Sequence, residues 1–142
     1  MSNHIPYKAM VVAKHWHRLQ MYGDQPYMYH VMQVHDLVVE VYGVEAYELR
    51  AIALLHDIIE DTPYPVSDLY MSFGTEIGNA VLAMSKREGE DYFEYIARVK
   101  ANPLARKVKR CDSMCNLTQS FKEQRHKGIV KYTTVLQLLE VD

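Results

Sequence analysis

No stretch of this chain approaches the roughly 20 consecutive apolar residues that cross a bilayer, so no membrane-spanning helix is expected. Charge of one sign is equally scarce, with 16 Lys and Arg set against 18 Asp and Glu for a formal net charge of −2. That balance lacks the polybasic footprint of a nucleic-acid binder or of a protein held on an anionic membrane, and neither is expected as a partner. The opening residues Met1-Ser2-Asn3-His4-Ile5-Pro6 have no basic segment followed by an apolar one. No secretory signal is therefore visible, and the expected location is cytoplasmic. Cysteine is down to two residues, Cys111 and Cys115. On a helix their Cα atoms would lie about 6 Å apart on one face, which admits a disulfide or a thiolate metal site. With no Cys-x-x-Cys partner elsewhere, they read as two reduced, half-buried small hydrophobes. Internal repeats, low-complexity tracts, linkers and runs of period-two strands joined by hairpin turns are also missing.

What is present is helical almost throughout. The 142 residues, 49% hydrophobic and 24% charged, suit one domain over 1–142 with a sizeable core. Pro6 opens a first helix running to about Tyr22, broken by Gly23-Asp24-Gln25-Pro26. A second spans about Tyr27 to Tyr42, with Val31, Val34, Val38 and Val41 at helical spacing, and ends at Gly43. A third runs from about Glu45 to Ile59 and is stopped by Thr62-Pro63-Tyr64-Pro65. A short helix from Val66 or Ser67 to Phe73 precedes another that starts at Gly74-Thr75 and ends near Met84. Asp91 suits the N-cap of a helix to about Ala101, and Pro103 the first turn of one reaching about Leu117. A last amphipathic segment lies near Thr133 to Leu139. Its Val135, Leu136, Leu138 and Leu139 leave both a core role and a homo-oligomer contact open. The class is an all-α, single-domain helical bundle.

The most informative segment is His56-Asp57-Ile58-Ile59-Glu60-Asp61, which follows the apolar run Ala51-Ile52-Ala53-Leu54-Leu55. A helix would set His56 beside Glu60 and Asp57 beside Asp61, bringing four ionisable groups to neighbouring positions at the edge of a core. Burying such charge without a partner costs several kcal/mol, about the penalty that a bound divalent cation removes. A catalytic divalent ion needs three or four N/O ligands and an open position. His56 and Asp57 supply two. A further histidine must come from another helix, with His15, His17, His30 and His35 as candidates. Asp112, lodged among Val108, Met114 and Leu117, offers another oxygen.

Read in order, Pro26-Tyr27-Met28-Tyr29-His30, then His56 to Asp61, then Val108-Lys109-Arg110-Cys111-Asp112-Ser113-Met114-Cys115-Asn116-Leu117 resemble the motifs of HD-domain metal phosphohydrolases. The likeness is greatest to the hydrolase domain of RelA/SpoT-type alarmone enzymes and their small stand-alone relatives. The stretch Ser85-Lys86-Arg87-Glu88-Gly89-Glu90-Asp91-Tyr92 also resembles one these proteins carry, and the resemblance covers roughly residues 7 to 120. It implies an HD-type bundle in which His30, His56, Asp57 and Asp112 are the metal ligands, with manganese the common ion and one that suits imidazole and carboxylate donors. It implies that Glu60 and Asp61 act on the attacking water and the reacting phosphate, and that Lys109 and Asn116 lie near the substrate. Lys86 or Arg87 can add positive charge for phosphates. His17 and Gln20 match a His-x-x-Gln of the family's first helix, where packing or hydrogen bonding is expected.

The implied activity is a guanosine polyphosphate (alarmone) 3′-pyrophosphohydrolase. Where alarmone hydrolases carry basic residues before the turn, this chain has Met21 and Tyr22. A neutral aromatic stacks on a base but cannot pair with a phosphate. The alternatives are therefore an HD-type nucleotidase acting on another nucleotide and a non-catalytic, metal-stabilised nucleotide-binding module. No synthetase domain is expected in these residues.

Overall fold

The apolar run that precedes the His-Asp pair becomes the central helix of the molecule. The computed structural model describes residues 4–140. Of the expected 1–142 span, residues 1–3 and 141–142 lie outside the described residues. The elements are α1 (His4–Trp16), β1 (Met21–Tyr22), β2 (Gln25–Pro26), α2 (Tyr27–Tyr42), α3 (Tyr47–Leu55), α4 (Ile58–Asp61), α5 (Val66–Ala83), α6 (Tyr92–Ala101), α7 (Pro103–Lys122) and α8 (His126–Glu140). The fold is all-α apart from β1 and β2, which pair antiparallel with Met21 opposite Pro26. α3 is packed by α1, α2, α5 and α7, and Ala51, Ile52, Ala53, Leu54 and Leu55 are wholly buried. Each such Leu or Ile contributes about 1.5–3 kcal/mol by leaving water, so the end of α3 is firmly anchored. Among the described residues no helix is long and apolar enough to cross a membrane.

Several boundaries depart from expectation. α1 stops at Trp16 instead of Tyr22, because Met21 and Tyr22 leave the helix to pair in the hairpin and Tyr27 N–H bonds the Gln20 carbonyl at 2.9 Å. The helix expected over 45–59 is two. α3 ends at Leu55, Asp57 takes φ −106° and ψ 2°, and α4 begins at Ile58. His56 and Asp57 thus sit in a turn, where both can face the same space. α5 bends at Gly74, whose φ of 85° is open only to glycine without strain, so the two helices expected there meet in one kinked element.

Caps follow the sequence more closely. Asp91 accepts from the N–H groups of Phe93 and Glu94, and Asn102 from that of Ala105. α8 begins at His126, well before the expected Thr133. A Cβ at Gly128 would fall 2.3 Å from Ser120 Oγ, so the missing side chain lets the first turn of α8 lie close against α7. Val135 and Leu139 then complete the core, which settles their role as packing residues. Cys111 and Cys115 are both free, and burial pushes their thiols up to about 11 and about 12.

Candidate metal centre

Three elements meet at one buried point. The first turn of α2 carries Tyr27 and His30 one above the other, the end of α3 presents His56, and the middle of α7 presents Asp112. His30, His56 and Asp112 are all buried, and each offers one ligand atom within 4.8 Å of the others. His30 Nε2 lies 2.8 Å from Asp112 Oδ1, and His56 Nε2 lies 3.4 Å from the same oxygen. Asp57 stands at the edge of this trio. Its Oδ2 is 3.0 Å from His56 Nε2 and accepts a hydrogen bond from the Tyr27 hydroxyl.

The His56 ring shows why the group suits a cation. Nδ1 lies 2.6 Å from the Ala53 carbonyl, which can only accept, so Nδ1 carries the proton. In a neutral ring Nε2 then aims a lone pair at carboxylate oxygens of Asp57 and Asp112, and this buried atom has no hydrogen-bond partner. A positive centre resolves the conflict, either a proton on Nε2 or a metal ion. Burial lowers the proton affinity of His56, but the two carboxylates outweigh it and raise it well above the usual histidine range. A histidine with one nitrogen bonded to a carbonyl and the other facing carboxylates is the arrangement found around protein-bound metals.

The carboxylates are tuned in the opposite sense. Burial pushes the Asp57 carboxyl up, yet the adjacent His56 pulls it down to about 2. Burial acts likewise on Asp112, and Lys109 and His56 hold it well below the carboxylate range. Lys109 Nζ donates to Asp112 Oδ2 at 3.1 Å, and Asn116 Nδ2 to Oδ1 at 3.2 Å. Tyr22 stacks on His30, with ring centres 4.7 Å apart, and its hydroxyl donates to Asn116 Oδ1 at 2.8 Å. Asp112 is therefore the hub through which His30, His56, Lys109 and Asn116 hold one another.

Glu60 and Asp61 part company. Glu60 lines a cleft of about 420 Å³ with Asp57, Asp112, Lys109 and Asn116, and its Oε1 accepts the Lys86 N–H at 2.6 Å. Asp61 lines a neighbouring groove beside Trp16 and Gln20. Its Oδ2 accepts from Gln20 Nε2 at 3.0 Å, and Gln20 Oε1 lies 2.7 Å from His17 Nδ1. His17 and Gln20 are thus hydrogen-bonding residues, as expected, although they follow α1. Burial raises both acids, helped at each by repulsion from Asp57. His35 is engaged elsewhere, accepting from Arg50 Nε at 3.1 Å. His15 lies on the surface beside Trp16.

Three residues of the cleft, Tyr95, Lys131 and Tyr132, belong to no motif read from the sequence, and Tyr92 only ends the 85–92 stretch. The Lys131 ammonium sits 5.1 Å from the Tyr92 ring centre and 5.3 Å from that of Tyr132. Among the described residues it has no carboxylate partner, and burial together with Lys109 lowers its proton affinity. A signal existed. Gly128, Tyr132, Val135 and Leu139 fall on one helical stripe, which places Lys131 and Tyr132 at the end of the face that packs inward.

No protein-family model matches the chain. A probable GTP pyrophosphokinase of Mycobacterium leprae (strain TN) is 32% identical over 121 residues, covering 78% of this chain and 15% of that protein. A GTP pyrophosphokinase of Streptomyces antibioticus is 30% identical over 142 aligned residues, covering 92% of this chain and 16% of its own length. The GTP pyrophosphokinase rsh of Brucella melitensis is 39% identical over 80 residues, 56% of this chain and 10% of that protein. The chain thus spans only a small part of the curated relatives it matches. A solved structure, of a metazoan ortholog of SpoT that hydrolyzes ppGpp and plays a role in starvation responses, superposes with a TM-score of 0.81. Its identity is 22%, and the match covers 95% of this chain and 85% of that one, a likeness that shows the fold.

Proposed function

We propose that this chain is a metal-dependent phosphohydrolase of the HD type, akin to the hydrolase domain of RelA/SpoT-type enzymes, and that it removes pyrophosphate from the 3′ position of a guanosine polyphosphate. The observation that carries the proposal is the buried His56 Nε2, aimed at two carboxylates beside His30 and at the foot of a cleft that also holds a lone glutamate and three lysines. The resemblance to a ppGpp-hydrolysing ortholog of SpoT supports it at the level of fold. The proposal carries with it a single domain over 1–142, a cytoplasmic location and a nucleotide as the partner.

His30, His56, Asp57 and Asp112 would hold the ion, and manganese suits this set of imidazole and carboxylate donors. When bound, it supplies a Lewis acid that activates water and polarises a phosphoryl oxygen. The remaining work falls to the protein. Glu60, raised by burial and held by the Lys86 N–H, is placed to orient water and take its proton. Asp61, tied to Gln20, braces the turn that carries Asp57. Lys86, Lys109 and Lys131 line one cleft and offset phosphate charge. Asn116 keeps one N–H free after bonding Asp112, enough for one contact to substrate.

One observation favours another nucleotide. Met21 is exposed and Tyr22 is committed to His30 and Asn116, so the hairpin offers no cation. The lysines across the cleft supply positive charge from other elements, which keeps the polyphosphate reading first. The deciding experiment is a manganese-supplemented screen of guanosine tetraphosphate against nucleoside mono-, di- and triphosphates, with Asp57→Ala as blank. Pyrophosphate release from the tetraphosphate is expected. Turnover of a different nucleotide with the tetraphosphate untouched would assign the site to a nucleotidase, and no turnover at all would favour a binding module.

A further inference from the structure

The segment that carries Lys86 is fastened by side chains that never reach the cleft's metal ligands. It joins α5 to α6 without helix or strand, yet it is held near both ends. At its start, the Tyr95 hydroxyl donates to the Met84 carbonyl at 2.6 Å, and Arg98 Nη2 to the Ser85 carbonyl at 2.9 Å. At its end, the same guanidinium grips Glu90 with both teeth of its fork, Nε to Oε2 at 2.7 Å and Nη2 to Oε1 at 2.8 Å. Glu90 Oε1 also takes the Arg87 N–H at 3.1 Å, which closes the segment on itself. Paired bonds of this geometry are among the strongest and most directional that side chains make. Consistent with that, the Arg98 hydrogen bonds hold the Glu90 carboxyl down to about 2.

Packing fixes only the start of the segment, where Met84 and Ser85 are buried. A cavity of about 570 Å³, lined by Ile59, Leu82, Arg87 and Glu88 among others, opens beside it and leaves room for it to shift. Between the two fastened ends, Lys86 presents its N–H to Glu60 Oε1 at 2.6 Å. The direction of the Glu60 carboxylate thus depends on where Arg98 holds the backbone.

We infer that Arg98 and Glu90 are positioning residues: they clamp the 84–90 segment so that the Lys86 amide aims Glu60 into the cleft. The inference rests on the reading of Glu60 as the group that acts on water. A misplacement of about 1 Å far from the reacting atoms lowers turnover by up to about 10²-fold.

The test compares Arg98→Met, Arg98→Lys and the milder Glu90→Gln with the intact protein in two readouts. The first is hydrogen exchange at the Lys86 amide, which needs no activity. Exchange is expected to quicken in both Arg98 variants, since lysine keeps the charge but not the fork, and less in Glu90→Gln, which retains one acceptor oxygen. The second is kinetic: kcat falls at least tenfold in Arg98→Met with KM and bound manganese unchanged, and Glu90→Gln is intermediate. A Lys86 amide equally protected in Arg98→Met overturns the inference. So does an unchanged kcat in that variant while Glu60→Gln loses turnover. A protein that hydrolyses no nucleotide overturns the proposed function, and the amide measurement still decides whether the clamp holds Glu60.

Discussion

One side of the cleft is made of the buried His30, His56 and Asp112 with the half-buried Asp57 at their edge, and its groups are bound to one another. The rest of its rim, with Lys86, Lys131, Tyr92 and Tyr132, is partly open to solvent and comes from a loop and two later helices. On the buried side no residue can change alone. Asp112 is shared by His30, His56, Lys109 and Asn116, so losing any member leaves a charge or a lone pair stranded in a low-dielectric site. On the rim, Lys131 lies over the faces of Tyr92 and Tyr132 and has no ion pair among the described residues, so it can be exchanged with little disturbance. On the proposed function, the chemistry rests on residues that depend on one another, and substrate choice on residues that do not.

Substitutions can break this contrast. The largest effect is expected on the buried side. His56→Ala or Asp57→Ala removes metal binding and takes hydrolysis to the background rate, measured by manganese titration together with pyrophosphate release. A variant that still binds manganese tightly would move the centre elsewhere. Next is Glu60→Gln, which leaves the four ligands intact. It should retain manganese and lose about 10²-fold or more in kcat, the usual scale of a lost general base. Full turnover in that variant would assign the base to another group.

The smallest effect is expected on the rim. Lys131→Ala should raise KM about tenfold, the worth of one charge-assisted hydrogen bond, with metal content and melting temperature unchanged. If it instead unfolds the protein or strips its metal, the rim is not independent of the buried side.

The same contrast explains what the sequence revealed. His56 and Asp57 are adjacent and follow an apolar run, and Asp112 stands on an apolar helix face, so these three are legible from local pattern; His30 is one of four candidate histidines that only the resemblance tells apart. Helix α2 and the caps at Asp91 and Gly43 were legible because periodicity and punctuation are local. The break after Leu55 is not, since neither His56 nor Asp57 is a helix-stopping residue, yet Asp57 leaves helical geometry at φ −106° and ψ 2°. The resemblance pairs Asp61 with Glu60; in the structure Glu60 lines the cleft and Asp61 a neighbouring groove, a separation that adjacency in the chain does not announce. The stripe of Gly128, Tyr132, Val135 and Leu139 marks the inward face of α8, but that Lys131 and Tyr132 reach the cleft depends on how closely α8 approaches α7, which Gly128 permits.

The account stands on a metal ion held by His30, His56, Asp57 and Asp112, and removal of that ion tests it most directly. The protein is stripped with a chelator, assayed on guanosine tetraphosphate, and assayed again after manganese is restored. Loss of pyrophosphate release on stripping, and its return with about one manganese per chain, is the predicted result. Undiminished release from the stripped protein would contradict the account.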